Sequence, residues 1–168
     1  MSMAQWASAF AESALGLTKS VGDLAGACLF ATTMGISRML YGKFGEKIDL
    51  IKFMLISGVI CVVSYLLAGL SAMPIWGLVG CVMCGFSVGI MWPGSISITA
   101  PRIPKGGTAL FALLAMAGDM GGAFGPSVVG YFSQHAGDNL HAGLLTGCIF
   151  PLIMLATLIA MKKMTPEG

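Results

Sequence analysis

Long uncharged apolar runs, separated by short polar gaps, occupy most of the chain. Residues 24–41, 53–70, 75–99, 107–132 and 140–161 each come close to or exceed the roughly 20 residues with which a helix crosses a bilayer. None alternates apolar and polar positions as a barrel strand does. Backbone groups in lipid must be paired within their own segment, so the five runs are predicted to be transmembrane helices. The expected fold is all-α: a polytopic membrane helix bundle with five full transmembrane helices and a partial one ahead of them.

The gaps give the bundle a direction. Arg38, Lys43, Lys47 and Lys52 cluster around the end of the first run, Arg102 and Lys105 follow the third, and Lys162 and Lys163 close the fifth. The alternate gaps, 71–74 and 133–139, carry no Lys or Arg. Basic residues stay on the cytoplasmic side, so the expected placement is multi-pass in the cell (plasma) membrane with the C-terminus cytoplasmic. The lipid bilayer is the first partner this implies. The first full run then passes inward, which leaves residues 1–20 outside without the basic n-region of a signal peptide. Residues 1–17 mix Gln5, Ser8, Glu12 and Ser13 with Trp6, Phe10 and Leu15. They fit an interfacial amphipathic helix or the outer part of a sixth span whose beginning is missing, and the second is the expectation.

Composition removes several classes of function. The chain is 57% hydrophobic and 10% charged, where a soluble domain is about 25% charged. A net charge of +2, with the basic residues at span ends, gives no surface for nucleic acid. All five Cys (28, 61, 81, 84 and 148) lie in apolar runs, and the Cys81-Val82-Met83-Cys84 spacing has no second pair or suitably placed His to make a metal site. His135 and His141 flank an outer gap and are read as solvated. No nucleophile–base or metal constellation appears, so neither an enzyme nor a metal or cofactor is expected.

The runs differ in character. Residues 53–70 and 140–161 have no charge and few helix breakers, Pro151 excepted, and read as lipid-facing supports. In the third run Gly77, Cys81, Gly85, Gly89 and Pro93 recur every four residues, and in the fourth Gly118, Gly122, Pro126 and Gly130 do the same. Small residues at that spacing let helix backbones approach closely. Pro93 and Pro126 each remove a backbone bond and are expected to bend their helices. Two bent, glycine-rich helices among stiffer ones suit a gating bundle. Asp119 stands near the middle of the fourth run, where a charged acid costs roughly 2.5–3.5 kcal/mol. Its neighbours at helical spacing, Ala112, Ala115, Gly122, Ala123 and Pro126, are small enough to admit water or substrate. Asp119 is therefore the leading candidate for a proton or substrate pathway, ahead of the alternative that it only holds a packing contact. Trp92, beside Pro93, is a candidate to stack on a ligand or, equally, to anchor an interface as aromatics do.

Three stretches resemble a known family. Gly35-Ile36-Ser37-Arg38-Met39-Leu40-Tyr41-Gly42-Lys43-Phe44-Gly45-Glu46-Lys47 is similar to the short basic loop between the second and third helices of each half of major facilitator superfamily transporters. Arg38, Gly42, Lys43, Gly45 and Lys47 carry that likeness, although Gly42 stands where the family places an acid. Gly85-Phe86-Ser87-Val88-Gly89-Ile90-Met91-Trp92-Pro93-Gly94 and Gly118-Asp119-Met120-Gly121-Gly122-Ala123-Phe124-Gly125-Pro126 resemble the tenth and eleventh helices of its sugar-permease-like branch. The resemblance covers essentially the whole chain. It implies that residues 1–168 are the C-terminal six-helix half of a transporter, with the first helix truncated. It further implies alternating access for a small solute coupled to a proton or cation, and a missing N-terminal half or a partner subunit. By the same resemblance Gln5, Trp6, Phe10, Trp92 and Asp119 approach the central cavity. Arg38, Lys43 and Lys47 then stabilise one of its two facing states. The alternative from another class is a non-transporting membrane scaffold or assembly subunit.

Overall fold

A computed structural model of the chain describes residues 7–8, 11–12, 16, 18–45, 49–71, 73–137 and 140–164. From Lys19 onward the described residues form seven helices: α1 (Lys19–Phe44), α2 (Leu50–Leu70), α3 (Pro74–Val88), α4 (Met91–Arg102), α5 (Gly107–His135), α6 (Leu140–Gly147) and α7 (Ile149–Met164). The pairs α3/α4 and α6/α7 each continue one membrane-length span. Five helical stretches are long and apolar enough to cross a bilayer, at the places the apolar runs predict. No strand occurs among the described residues, and the all-α bundle stands as expected.

The helices outlast the apolar runs, because backbone hydrogen bonding continues into polar sequence. α1 takes in Asp23 at one end and Lys43 at the other, and closes with the Gly45 N–H donating to the Tyr41 carbonyl. α2 opens at Asp49, whose carboxylate accepts the backbone N–H groups of Ile51 (3.0 Å) and Lys52 (3.2 Å). That cap satisfies two donors that the first turn would otherwise leave unpaired. The Lys52 N–H, above all, holds the exposed Asp49 carboxyl below the usual carboxylate range. α3 opens on Pro74, whose missing N–H costs nothing at a helix start.

The spans break where a proline removes a bond, though not at every proline. α3 stops at Val88 and α4 restarts at Met91, four residues ahead of Pro93 having left the Gly89 carbonyl without its helical donor. α6 and α7 part at Cys148, just ahead of Pro151. α5, in contrast, runs as one helix through Pro126. Breaks thus lie in the third span, where Pro93 was expected to bend the helix, and in the fifth, while α5 continues through Pro126 without one.

α2 is the hub of the packing. It lies against α3 and α4 on one side and α6 and α7 on the other, while α1 packs on α3 and α5 on α6. Its row Ile56, Val59, Val63, Leu66 and Leu70 is exposed, as a lipid-facing support requires. Its opposite face, with Met54, Cys61, Ser64, Tyr65 and Ala68, is buried. The span read as a plain support is therefore also the centre of the core.

Small residues set the distances. A Cβ on Gly85 would lie 2.6 Å from Thr33 Oγ1 and 2.7 Å from the Phe30 carbonyl oxygen, and one on Gly89 would lie 2.7 Å from the Met34 carbonyl oxygen. Gly80 meets the Ser64 carbonyl of α2 in the same way, and Gly143 of α6 meets the Val129 carbonyl of α5. Such approach is what associates helices in lipid, where the hydrophobic effect supplies little. Cys61, Cys81 and Cys84 fill the core between α2 and α3, with the Cys61 and Cys84 sulfurs 3.8 Å apart.

Candidate functional site

One cavity gathers candidate residues from three spans. Arg38 of α1, Trp92 of α4, and Ala115, Gly118 and Asp119 of α5 line a space of about 320 Å³. At 1.5 Å per residue, Asp119 stands about 18 Å along α5 from Gly107 and about 24 Å from His135, deep within the span. Arg38 is about 9 Å from the end of α1 by the same measure, in the basic end of that helix, which also holds Lys43.

Each wall is fixed by a local cause. Pro93 leaves the Gly89 carbonyl free, and the Arg38 Nε–H donates to it at 3.0 Å across from α1. The guanidinium thereby replaces the missing backbone donor and is anchored in turn. Gly89 has room for this contact because it lacks a side chain against Met34 and Ser37. Ser37 itself is buried, its hydroxyl without a hydrogen-bond partner among the described residues. Trp92 follows directly on the break and lays its ring edge on Gly118, where a Cβ would lie 2.9 Å from the indole. Asp119 is the next residue along α5, exposed toward the cavity, and no ion pair joins it to Arg38 among the described residues.

The other sequence candidates divide. Gly85 and Gly89 lie at the α1 interface, while the neighbouring Gly121 and Gly130 of α5 have nothing within 4 Å of a built Cβ. Gly122 and Pro126 are half-buried along the same helix. Arg38, Gly42 and Lys43 were expected in a loop, yet they belong to the last turns of α1, because its backbone ladder runs on to the Gly45 cap. Lys43 Nζ sits 5.6 Å from the Phe44 ring centre, and Gly45 packs on the Tyr41 ring. Gln5, Trp6, Phe10 and Lys47 lie outside the described residues. His141, read as solvated, is half-buried with Nδ1 3.0 Å from the Ala68 carbonyl oxygen, and ties α6 to the end of α2.

Sequence reasoning missed Arg38 as a cavity wall. A signal existed: a proline in a span orphans the carbonyl four residues earlier, which calls for a donor from elsewhere. Nothing in the sequence says which helix supplies it.

A family profile described as Major Facilitator Superfamily matches residues 1–167. The chain belongs to the major facilitator superfamily. Among curated relatives, the multi-drug resistance efflux pump PmrA of Streptococcus pneumoniae is 28% identical over 161 residues, covering 89% of this chain and 39% of the relative. The probable nitrate transporter NarT of Staphylococcus epidermidis is 26% identical over 136 residues, covering 80% of this chain and 35% of the relative. The chain thus spans well under half the length of these relatives. No solved structure matches it. Membership of this superfamily makes the protein a multi-pass membrane protein of a transporter family.

Proposed function

We propose that the chain is the C-terminal half of a secondary transporter that moves a small solute by alternating access, coupled to a proton or cation. Residues 1–17 would belong to its first helix, and Gln5, Trp6 and Phe10 would face the path with Trp92 and Asp119. The remaining half, or a partner subunit, would close the path from the other side, and the C-terminus would lie in the cytoplasm. One observation carries the reading: a guanidinium, an indole and a carboxylate from three membrane-length helical stretches line one cavity. Intramembrane charges are costly and, where retained, line pathways. The relatives' names, an efflux pump and a probable nitrate transporter, support transport without agreeing on a solute. Asp119 is the group to which we assign the coupling cation.

The test is solute accumulation driven by a pH gradient in proteoliposomes, run over a panel of amino acids, sugars and nitrate. Asp119→Asn should lower accumulation by at least about tenfold, the effect of losing one charge-assisted contact, while membrane insertion is unchanged. Undiminished pH-driven accumulation in that variant would remove Asp119 from the coupling step. A scaffold subunit predicts no accumulation with either form.

A further inference from the structure

We infer that the cavity between α1, α4 and α5 recognises a small zwitterionic solute, with Arg38 taking its anionic group, Asp119 its ammonium and Trp92 its apolar body. The inference rests on the transport reading and names its substrate class. Three observations carry it. First, Arg38 is pre-organised: its Nε–H donates to the Gly89 carbonyl at 3.0 Å and its Nη2 lies 4.0 Å from Met34 Sδ, which holds the plane of the guanidinium. Arginine presented this way suits a carboxylate, and little ordering remains to be done on binding. Second, Arg38 and Asp119 share the cavity without forming an ion pair among the described residues. A basic and an acidic side chain therefore face one space between membrane-length helices, and their formal charges are opposite. A net anion or net cation would leave one of them uncompensated, whereas a zwitterion satisfies both. Third, the Trp92 ring on Gly118 supplies an apolar wall beside the two charged groups. Proton and ammonium then meet the same carboxylate, which joins coupling to recognition.

The chain contains three Trp, and replacing Trp76 with Phe leaves Trp6 and Trp92, both of which the transport reading places on the path, as the reporting fluorophores. In lipid nanodiscs, emission is followed against L-norvaline, valerate and n-butylamine, which share an aliphatic body and differ in charge. A saturable response to norvaline, at least about tenfold tighter than to either other probe, is expected from one additional charge-assisted contact. Arg38→Gln should reduce norvaline to the level of butylamine, and Asp119→Asn to the level of valerate. Arg38→Gln also removes the bond at Gly89, so helicity is checked by circular dichroism. Asp119→Asn touches no part of that break, and its arm reads the inference even where the Arg38 variant unwinds. Equal responses to the three probes, no saturable response to norvaline, or a response indifferent to Asp119→Asn would overturn the inference. Zwitterion-selective binding without pH-driven accumulation would instead overturn the transport reading alone. Accumulation without such selectivity would overturn the inference alone.

Discussion

α3 and α5 carry the same sequence device and use it in opposite ways. Each has small residues every four positions, yet on α3 the notch at Gly85 is filled by the backbone and Thr33 of α1. On α5, among the described residues, a Cβ on Gly121 or Gly130 would meet nothing within 4 Å, and one on Gly118 would meet the rim of the Trp92 ring. The buried residues of α5 are Gly125, Val129 and Ser133, all in its second half. Its earlier part, with Asp119, is exposed. A ridge of small residues is thus a packing surface only when a neighbouring backbone occupies it. Left unfilled, it becomes the open side of a cavity, and an acid there keeps its access.

The largest effect should come from filling the closed notch. Gly85→Leu places a side chain against the Phe30 carbonyl, a backbone atom that cannot turn aside. We expect a loss of roughly 1–3 kcal/mol or more, as overpacked cores show. Reversible denaturation in mixed micelles, followed by circular dichroism, measures it. Wild-type stability in Gly85→Leu would mean that α1 and α3 are not held as tightly as the close approach requires, and the contrast with α5 would fail.

A smaller effect should follow from loosening the hub that the closed side shares. Asp49→Ala removes the acceptor for the Ile51 and Lys52 N–H groups, so the first turn of α2 should fray and the unfolding midpoint should fall by less than in Gly85→Leu. The sign with pH is fixed by the depressed carboxyl. Its contribution is whole above the unfolded value, about 3.9, and is lost as pH falls through the lower folded value. Full exposure lets solvent screen the charge, so the difference is small throughout. Wild-type and Asp49→Ala curves that stay equally far apart down to pH 2 would show that the cap does not act through the ionised carboxylate.

The two regions were unequally legible in the sequence. The five spans follow from apolar length alone, and residues 35–47 with the two glycine runs lead to the superfamily. The ends of the helices did not follow, since Arg38, Gly42 and Lys43 are polar or breaking residues carried along by a ladder already formed. Nor did the breaks. Pro93 and Pro126 look alike in sequence, but at Pro93 a cross-helix donor takes the freed carbonyl, and the helix gives way there and not at Pro126. The cavity was half legible. Asp119 and Trp92 stand out by residue type and depth, whereas Arg38 joins them only through a contact between residues 51 positions apart.

The smallest expected effect is the one that decides what the open side is. Gly121→Ala adds a methyl group where nothing lies within 4 Å, so packing should not oppose it. Alanine is the better helix former by up to about 1 kcal/mol, and stability in this chain should stay level or rise by no more than that. A loss approaching that of Gly85→Leu would mean that α5 closes on a neighbouring helix of the same chain, and the two ridges would be alike after all. The informative case pairs the chain with the rest of its transporter. If Gly121→Ala then slows transport while this chain's own stability is untouched, the unfilled ridge of α5 is the surface on which the other half moves. That would make the absence of a neighbour there a feature of the mechanism, because a helix packed as α3 is packed could not admit a solute beside Asp119.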